Sequence, residues 1–315
     1  MKPFIVVSDG MDKDVFETLK AVGEFEVYPE PKVSQDKLAE LLPKISGLVI
    51  RSATTVTADL LEKAPELKYV IRAGEGTDNI DKKSCEAKGV KVSNTPGANN
   101  NSAAEHAIAL MMTVLRQTAW AHTTMVGGAW DKNKFTGIEL WKKKIGVVGF
   151  GRIGQIVAKR LAGFEVEVKF FDPFLETSDI PYASKAKDLK EVFETCDIVT
   201  LHTPLMDATK GMVTRELLES MKPDSVLVNA SRGGIVDEEA LYDVLSNKKI
   251  RGAGFDVFAT EPLEADSKLR KLDNLILTPH LGASTEEAQI RVGEMAVHQL
   301  QEFFLNNNLL YEVKA

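Results

Sequence analysis

Short β-branched runs alternate with longer amphipathic stretches from one end of the chain to the other, the pattern of βα units that build parallel sheets. In the opening third FIVV, EVY, GLVI, YVI and VKVS read as strands, with DVFETLK, KLAELL and ADLLEKA as helices between them. One small open sheet is predicted. Regular structure breaks at NTPGANNN, where Pro96, Gly97 and three asparagines stand close together. Ser102 and Glu105 then offer a capping box for a helix striped with Ala107, Leu110, Met111, Val114 and Leu115. The alternation restarts at Lys144 with IGVVGFG and a helix carrying Ile153, Ile156, Val157, Arg160 and Leu161. Further strands are VEVKFF, IVTLH, SVLVN, GAGFDV and LILTP, so a second, larger doubly wound sheet is predicted. Ser284 and Glu287 can cap a last helix with Ile290, Gly293, Val297, Leu300 and Phe304 on one face, expected to return to the first sheet. The expected division is a discontinuous domain, residues 1–98 and 286–315, around an inserted domain of residues 99–285.

Composition narrows the function. A chain of 315 residues has room for about two domains, and 44% apolar with 27% charged residues is the balance of a globular protein. Against 39 Lys and Arg stand 46 Asp and Glu, a net charge of -7, which is the wrong sign for a nucleic-acid binder. Cys85 and Cys196 lie far apart without ligand-spaced partners, so neither a disulfide framework nor a structural zinc fits, and no metal is expected. The first residues are too polar for a signal peptide, and AIALMMTVL is far shorter than the roughly 20 residues of a membrane span. The expected location is the cytoplasm.

Gly149-Phe150-Gly151-Arg152-Ile153-Gly154 follows a predicted strand and opens a helix, as a dinucleotide fingerprint requires. Its glycines let a pyrophosphate approach free amides at a helix N-terminus. Asp172 ends the next strand, near the expected offset of about 20 residues, where a carboxylate accepts from ribose hydroxyls and repels a ribose phosphate. No arginine follows it, which favours NAD over NADP. Each later strand also ends in a polar residue: His202, then Ser231 and Arg232, then Asp256, then His280. Ligands of open α/β sheets bind beyond these carboxyl ends. Arg232 suits a carboxylate. His280 can take a hydroxyl proton as hydride leaves the same carbon, with His202 as the alternative base, and Glu261 can pair with the imidazole of His280. In the first domain LVIRSATT and YVIRAGEG each end a strand in arginine, Arg51 and Arg72, a pair suited to a doubly charged phosphate. Gly74 and Gly76 add backbone amides for an anion. Both sheets are expected to aim their strand tips at one gap.

VGFGRIG, FFDPF, HTPL, NASRGGIVDEEAL, GAGFDVFATEP and TPHLGAST, in this order, resemble the D-2-hydroxyacid dehydrogenases. RSATTVTADLL, RAGEGTDNID and SNTPGANNNSAAEHAIALMM look like the 3-phosphoglycerate dehydrogenase branch. The resemblance implies an α/β fold in which a Rossmann NAD-binding domain is inserted into a flavodoxin-like substrate domain. It makes Arg232, Glu261 and His280 the catalytic residues. Around the cofactor it places Arg152 and Ile153 at the pyrophosphate, Asp172 at the ribose, and Thr203 and Pro204 at the adenosine. Ala230 and Asp256 fall on the nicotinamide side, with Gly282 and Ala283 close by. Arg51, Arg72, Gly74, Glu75 and Gly76 are expected at the substrate with Arg232 and His280, although Glu75 stands where the family often has a small residue. The implied reaction is NAD-dependent oxidation of 3-phosphoglycerate to 3-phosphohydroxypyruvate, the entry to serine synthesis. Glyoxylate or hydroxypyruvate reduction is the alternative, and an NAD(H)-binding corepressor without turnover is a further one. A homodimer through the NAD-binding domains is also implied, with the helix from Ser102 and the arm to about Leu140 in the contact, and Lys132 or Lys134 reaching the partner's substrate. The chain looks like a short form, without the regulatory domain of longer relatives.

Overall fold

Strands with helices on both faces must be apolar at nearly every position, not at alternate ones. GLVI, IVTL, VLVN and GAGF meet that demand, being buried throughout. The computed structural model describes residues 2–315, and the chain divides into a unit up to Asn99 together with Ala283–Ala315 and a unit Asn100–Gly282.

In the first unit the strands are β1 (Phe4–Val7), β2 (Glu26–Val27), β3 (Gly47–Ile50), β4 (Tyr69–Arg72) and β5 (Lys91–Asn94). All pair in parallel, in the order β2-β1-β3-β4-β5, the flavodoxin-like winding. Asp12, Ser34, Thr57 and Asp81 cap the helices Lys13–Lys20, Gln35–Leu41, Ala58–Glu62 and Lys82–Ala87, each accepting from first-turn amides. The helix Glu286–Asn306 buries Val292, Ala296, Val297 and Leu300 against Val15, Phe16 and Leu19. Gly293 permits the close approach, since a Cβ there would lie 3.0 Å from Val15 Cγ1. The chain end covers the β5 edge, with Val313 N donating to Val92 O at 2.8 Å.

In the second unit the strands are β6 (Lys144–Val148), β7 (Glu167–Phe171), β8 (Ala183–Lys185), β9 (Ile198–Leu201), β10 (Val226–Asn229), β11 (Gly252–Phe255) and β12 (Leu275–Leu277). Their order, β8-β7-β6-β9-β10-β11-β12, is the Rossmann winding extended by one strand, again wholly parallel. Winding reverses between β6 and β9, which opens a crevice at their carboxyl ends. Phe150 at the centre of the glycine loop is 1% exposed and stacks on Phe170 with centroids 4.3 Å apart. The loop is therefore anchored by its one large side chain. The helix Asn100–Arg116 lies tightly on β11, where a Cβ on Gly254 would stand 3.1 Å from Leu110 Cβ.

Two expected helix starts are corrected. The capping box of Ser102 and Glu105 does not form: Asn100 and Asn101 are already helical, and Ser102 is buried in the first turn. Glu105 turns instead to Arg160 at 3.1 Å, and Asn101 Oδ1 accepts from the same guanidinium. At the last helix the cap is Thr285, which accepts from Ala288 N at 3.2 Å, one residue beyond the expected Ser284. Ile290 is 39% exposed and lies off the buried face. No helix of the described residues is long and apolar enough to cross a membrane.

Candidate active site

The parallel ladder of the second unit runs one residue past β6, β9, β11 and β12. Gly149 N donates to Phe171 O, His202 N to Val148 O, Asp256 N to Asn229 O and Thr278 N to Phe255 O, all within 2.7–3.0 Å. Gly149, His202, Asp256 and Thr278 therefore stand at one level, with Asp172 and Ala230 following directly on β7 and β10.

Gly149 has φ +86°, and a Cβ there would lie 2.6 Å from His202 O. Gly154 is held as closely, since its Cβ would fall 2.2 Å from Gly149 O. Gly151 differs. It is the N-cap of the helix Arg152–Leu161, brings no side chain to cap the first-turn amides, and has open space where a Cβ would point. Thr203, whose Cγ2 would lie 2.9 Å from a Cβ on Gly149, has its Oγ1 buried with no hydrogen-bond partner among the described residues. Asp172 accepts from Phe150 N at 2.8 Å and Phe174 N at 2.9 Å, one amide for each oxygen. Lone pairs remain for ribose hydroxyls. Free space at a helix N-terminus, an unsatisfied hydroxyl and an acceptor at ribose distance along the chain suit a dinucleotide, so the residues present fit NAD. Ile153 is half-buried, whereas Arg152 and Pro204 are exposed.

Asn229, 1% exposed, holds the next turn by accepting from Ser231 N and Oγ and donating to Arg232 O at 3.0 Å. Arg232 Nη1 donates to Ser231 O at 2.7 Å. The adjoining Gly233 lies against the Phe258 carbonyl, 1.7 Å from where its Cβ would be, so this turn rests on the backbone leading to Glu261. Ala259 N in that backbone donates to Glu238 Oε1 at 2.6 Å.

Glu261 Oε1 accepts from Phe258 N at 3.0 Å, and Oε2 lies 2.7 Å from His280 Nδ1. Burial would raise the Glu261 pKa, but the bonds from His280 and Phe258 N outweigh it and hold the carboxyl below its usual range. A carboxylate only accepts, so Nδ1 carries the hydrogen and Nε2 is left to take or give a proton. His280 has φ +55°, an uncommon conformation for a residue with a side chain. His202 is placed differently. Its Nε2 lies 2.9 Å from Thr200 Oγ1, and burial pushes its pKa down to about 4.

Asp256, expected on the nicotinamide side, has a carboxylate with no exposed surface. Oδ1 accepts from Thr278 Oγ1 at 2.6 Å and Leu281 N at 2.8 Å, and Oδ2 from Gly282 N at 2.9 Å, while its carbonyl accepts from His280 N at 2.8 Å. It thus organises the turn that carries His280. Ala283, the next residue after Gly282, is half-buried.

In the first unit Ile50 pairs with Arg72, so Arg51 and Arg72 occupy adjacent strand ends. Asp9 fixes the Arg51 turn, accepting from Arg51 N at 2.7 Å and Thr54 N at 2.9 Å, and Asn79 Nδ2 donates to the carbonyls of Arg51 and Thr54. The Arg51 guanidinium makes no hydrogen bond or ion pair among the described residues, and burial lowers its pKa against the opposing pull of Asp9. Arg72 Nη1 lies 1.6 Å from where a Gly74 Cβ would be, so a side chain at that position would displace the guanidinium. Glu75, expected to oppose an anion, has Oε2 bonded to Gly97 N at 2.7 Å. Gly76 is half-buried beside it, and Lys132 and Lys134 are exposed in the 3-10 turn Lys132–Phe135. No metal-binding group of His, Cys, Asp and Glu occurs among the described residues.

A dinucleotide cradle on the same sheet edge as an imidazole whose Nδ1 is paired with a carboxylate provides what oxidation of an alcohol carbon needs, a place for the hydride acceptor and a proton acceptor. The fold and site thus define a nicotinamide-dependent dehydrogenase. The chain belongs to the D-isomer specific 2-hydroxyacid dehydrogenase family, whose NAD-binding domain matches residues 108–282. It is 43% identical over 296 residues to a hydroxypyruvate reductase of Thermotoga maritima, covering 93% of this chain and 96% of that protein. It is 41% identical over 300 residues to a D-3-phosphoglycerate dehydrogenase of Methanocaldococcus jannaschii, covering 95% of this chain but 57% of that protein, little more than half its length. Among solved structures, the NAD+-bound 3-phosphoglycerate dehydrogenase of Entamoeba histolytica superposes with a TM-score of 0.84 at 27% identity, over 100% of this chain and 99% of that one.

The pKa of Asp256 is also lowered: burial would raise it, and the bonds from His106, Thr278 and Leu281 N prevail. Its stabilising contribution is therefore complete above the unfolded carboxyl pKa and is lost as pH falls through the depressed folded value. Asp256→Asn should remove about 1–3 kcal/mol at pH 7 and flatten the acid limb. Urea unfolding midpoints from pH 3 to 7 test this, and an unchanged midpoint and limb would refute it.

Proposed function

We propose that this chain oxidises 3-phosphoglycerate to 3-phosphohydroxypyruvate with NAD, the first step of serine synthesis. The observation that supports it is the pair of arginines on adjacent strand ends, Arg51 with no partner for its guanidinium within the described chain. Cations at two neighbouring strand ends suit a phosphate dianion, and an unphosphorylated hydroxy acid has no second anion to engage them. In this reading Arg232 grips the substrate carboxylate while polarising the oxygen at C2. Neutral His280 takes the hydroxyl proton at Nε2, and Glu261 stabilises the imidazolium that results. NAD, when bound, supplies the hydride acceptor. Hydroxypyruvate reduction is the second reading, favoured by the Thermotoga maritima relative that matches over nearly its full length.

Steady-state NADH formation with 3-phosphoglycerate, glycerate and lactate separates these readings. Arg51→Ala should cost about 10- to 100-fold in kcat/KM with 3-phosphoglycerate, the worth of a lost charge-assisted bond, and about twofold or less with glycerate. Equal losses on both substrates would sink the phosphate assignment.

His280→Asn should lower kcat by about 100- to 10,000-fold. A variant that turns over at a rate comparable to the wild type would remove His280 from the base role.

The same reading includes a homodimer. The helix Thr118–Val126 has no buried residue, and Val126 is 75% and Trp130 80% exposed, an apolar surface suited to a second copy and placing Lys132 and Lys134 beside it. Light scattering should give twice the chain mass, falling to the single-chain mass in Trp130→Lys; a single-chain mass in the wild type would refute this.

A further inference from the structure

His106 lies on the helix Asn100–Arg116, outside every role assigned above, and reaches the carboxyl ends of β11 and β12. The reason is local packing. Gly254 lets the helix approach at Leu110, and one turn earlier on the helix His106 meets Asp256, two residues further along the strand. Its Nε2 lies 3.1 Å from both Thr278 Oγ1 and Asp256 Oδ1, with the ring 19% exposed and the carboxylate fully enclosed. The hydrogens can be placed by elimination. Thr278 gives its only hydroxyl hydrogen to Asp256, and an ionised carboxylate has none to give, so the hydrogen in both contacts is carried by Nε2, which donates to each.

We infer that His106 is a positioning residue for the reaction: its Nε2–H holds the Asp256 carboxylate and the Thr278 hydroxyl, and through them the turn that presents His280. Thr278, Leu281 and Gly282 hang on the Asp256 side chain and His280 N on its carbonyl. His106 joins this hub from a separate element. Without it Asp256 Oδ1 loses the one donor that does not belong to the turn, so the carboxylate can move with the turn it should restrain. The left-handed backbone of His280 is stable only while its surroundings over-determine it. A small displacement of the imidazole is then enough to slow proton transfer.

This inference rests on His280 being the base, and the test keeps the two apart. His106→Leu removes the donor, whereas His106→Gln returns an N–H at a similar reach. In His106→Leu the amides of Leu281 and Gly282 should exchange with deuterium about tenfold faster, a readout independent of turnover. The kcat should fall about 10- to 100-fold. NADH affinity should stay within about twofold, because the glycine loop and Asp172 are untouched. His106→Gln should recover most of both losses. Unchanged amide exchange in His106→Leu overturns the inference, as does a Gln variant no better than Leu with NADH affinity and unfolding midpoint falling in parallel. If His280→Asn keeps full activity while the amide result holds, the base assignment fails and the positioning of the turn stands.

Discussion

A single enclosed carboxylate fixes where the imidazole of this site can be. Removing an ionised Asp from water costs several kcal/mol unless donors surround it, and Asp256 is surrounded by donors from two side chains and two backbone amides. Because three of those donors belong to residues 278–282, satisfying the charge and shaping the turn are one event. The turn cannot relax without exposing or orphaning the carboxylate. That coupling explains how His280 keeps a left-handed backbone without being glycine.

Polar residues at strand ends therefore do two kinds of work that spacing does not distinguish. Asp256 and Asn229 both turn inward and hold loops, one the His280 turn and the other the Arg232 turn. Asp172 does both at once, clamping the glycine loop through Phe150 N while keeping lone pairs for a ligand. The position of each along the chain was legible because parallel sheets end their strands at one edge. The direction of each side chain was not, since it depends on which backbone amides the following turn leaves unsatisfied.

The glycine loop and both sheets could be read because each depends on near neighbours: buried apolar runs, a tight turn and a helix start. The short elements β8 and Lys82–Ala87 escaped, one a three-residue edge strand and the other a helix with Cys85 as its single buried residue. The cap at Ser102 failed for a different reason. Glu105 had a stronger partner in Arg160, on a helix remote in sequence. His106 was unreadable in the same way, because its two partners come from strands that only the folded sheet brings to it.

The first unit makes a complementary argument about charge. A half-buried guanidinium without a partner loses hydration and gains nothing in return, and Arg51 pays this with only the longer-range attraction of Asp9 against it. Its turn is nonetheless rigidly built, with Asp9 and Asn79 tying both ends of the Arg51–Thr54 segment. Rigidity around an uncompensated cation is unfavourable for stability alone and favourable for an anion that arrives later, since the cost of ordering is met before binding. Glu75 fits the same logic. One carboxylate oxygen, Oε2, accepts from Gly97 N, so the added negative charge helps to shape the turn after β4.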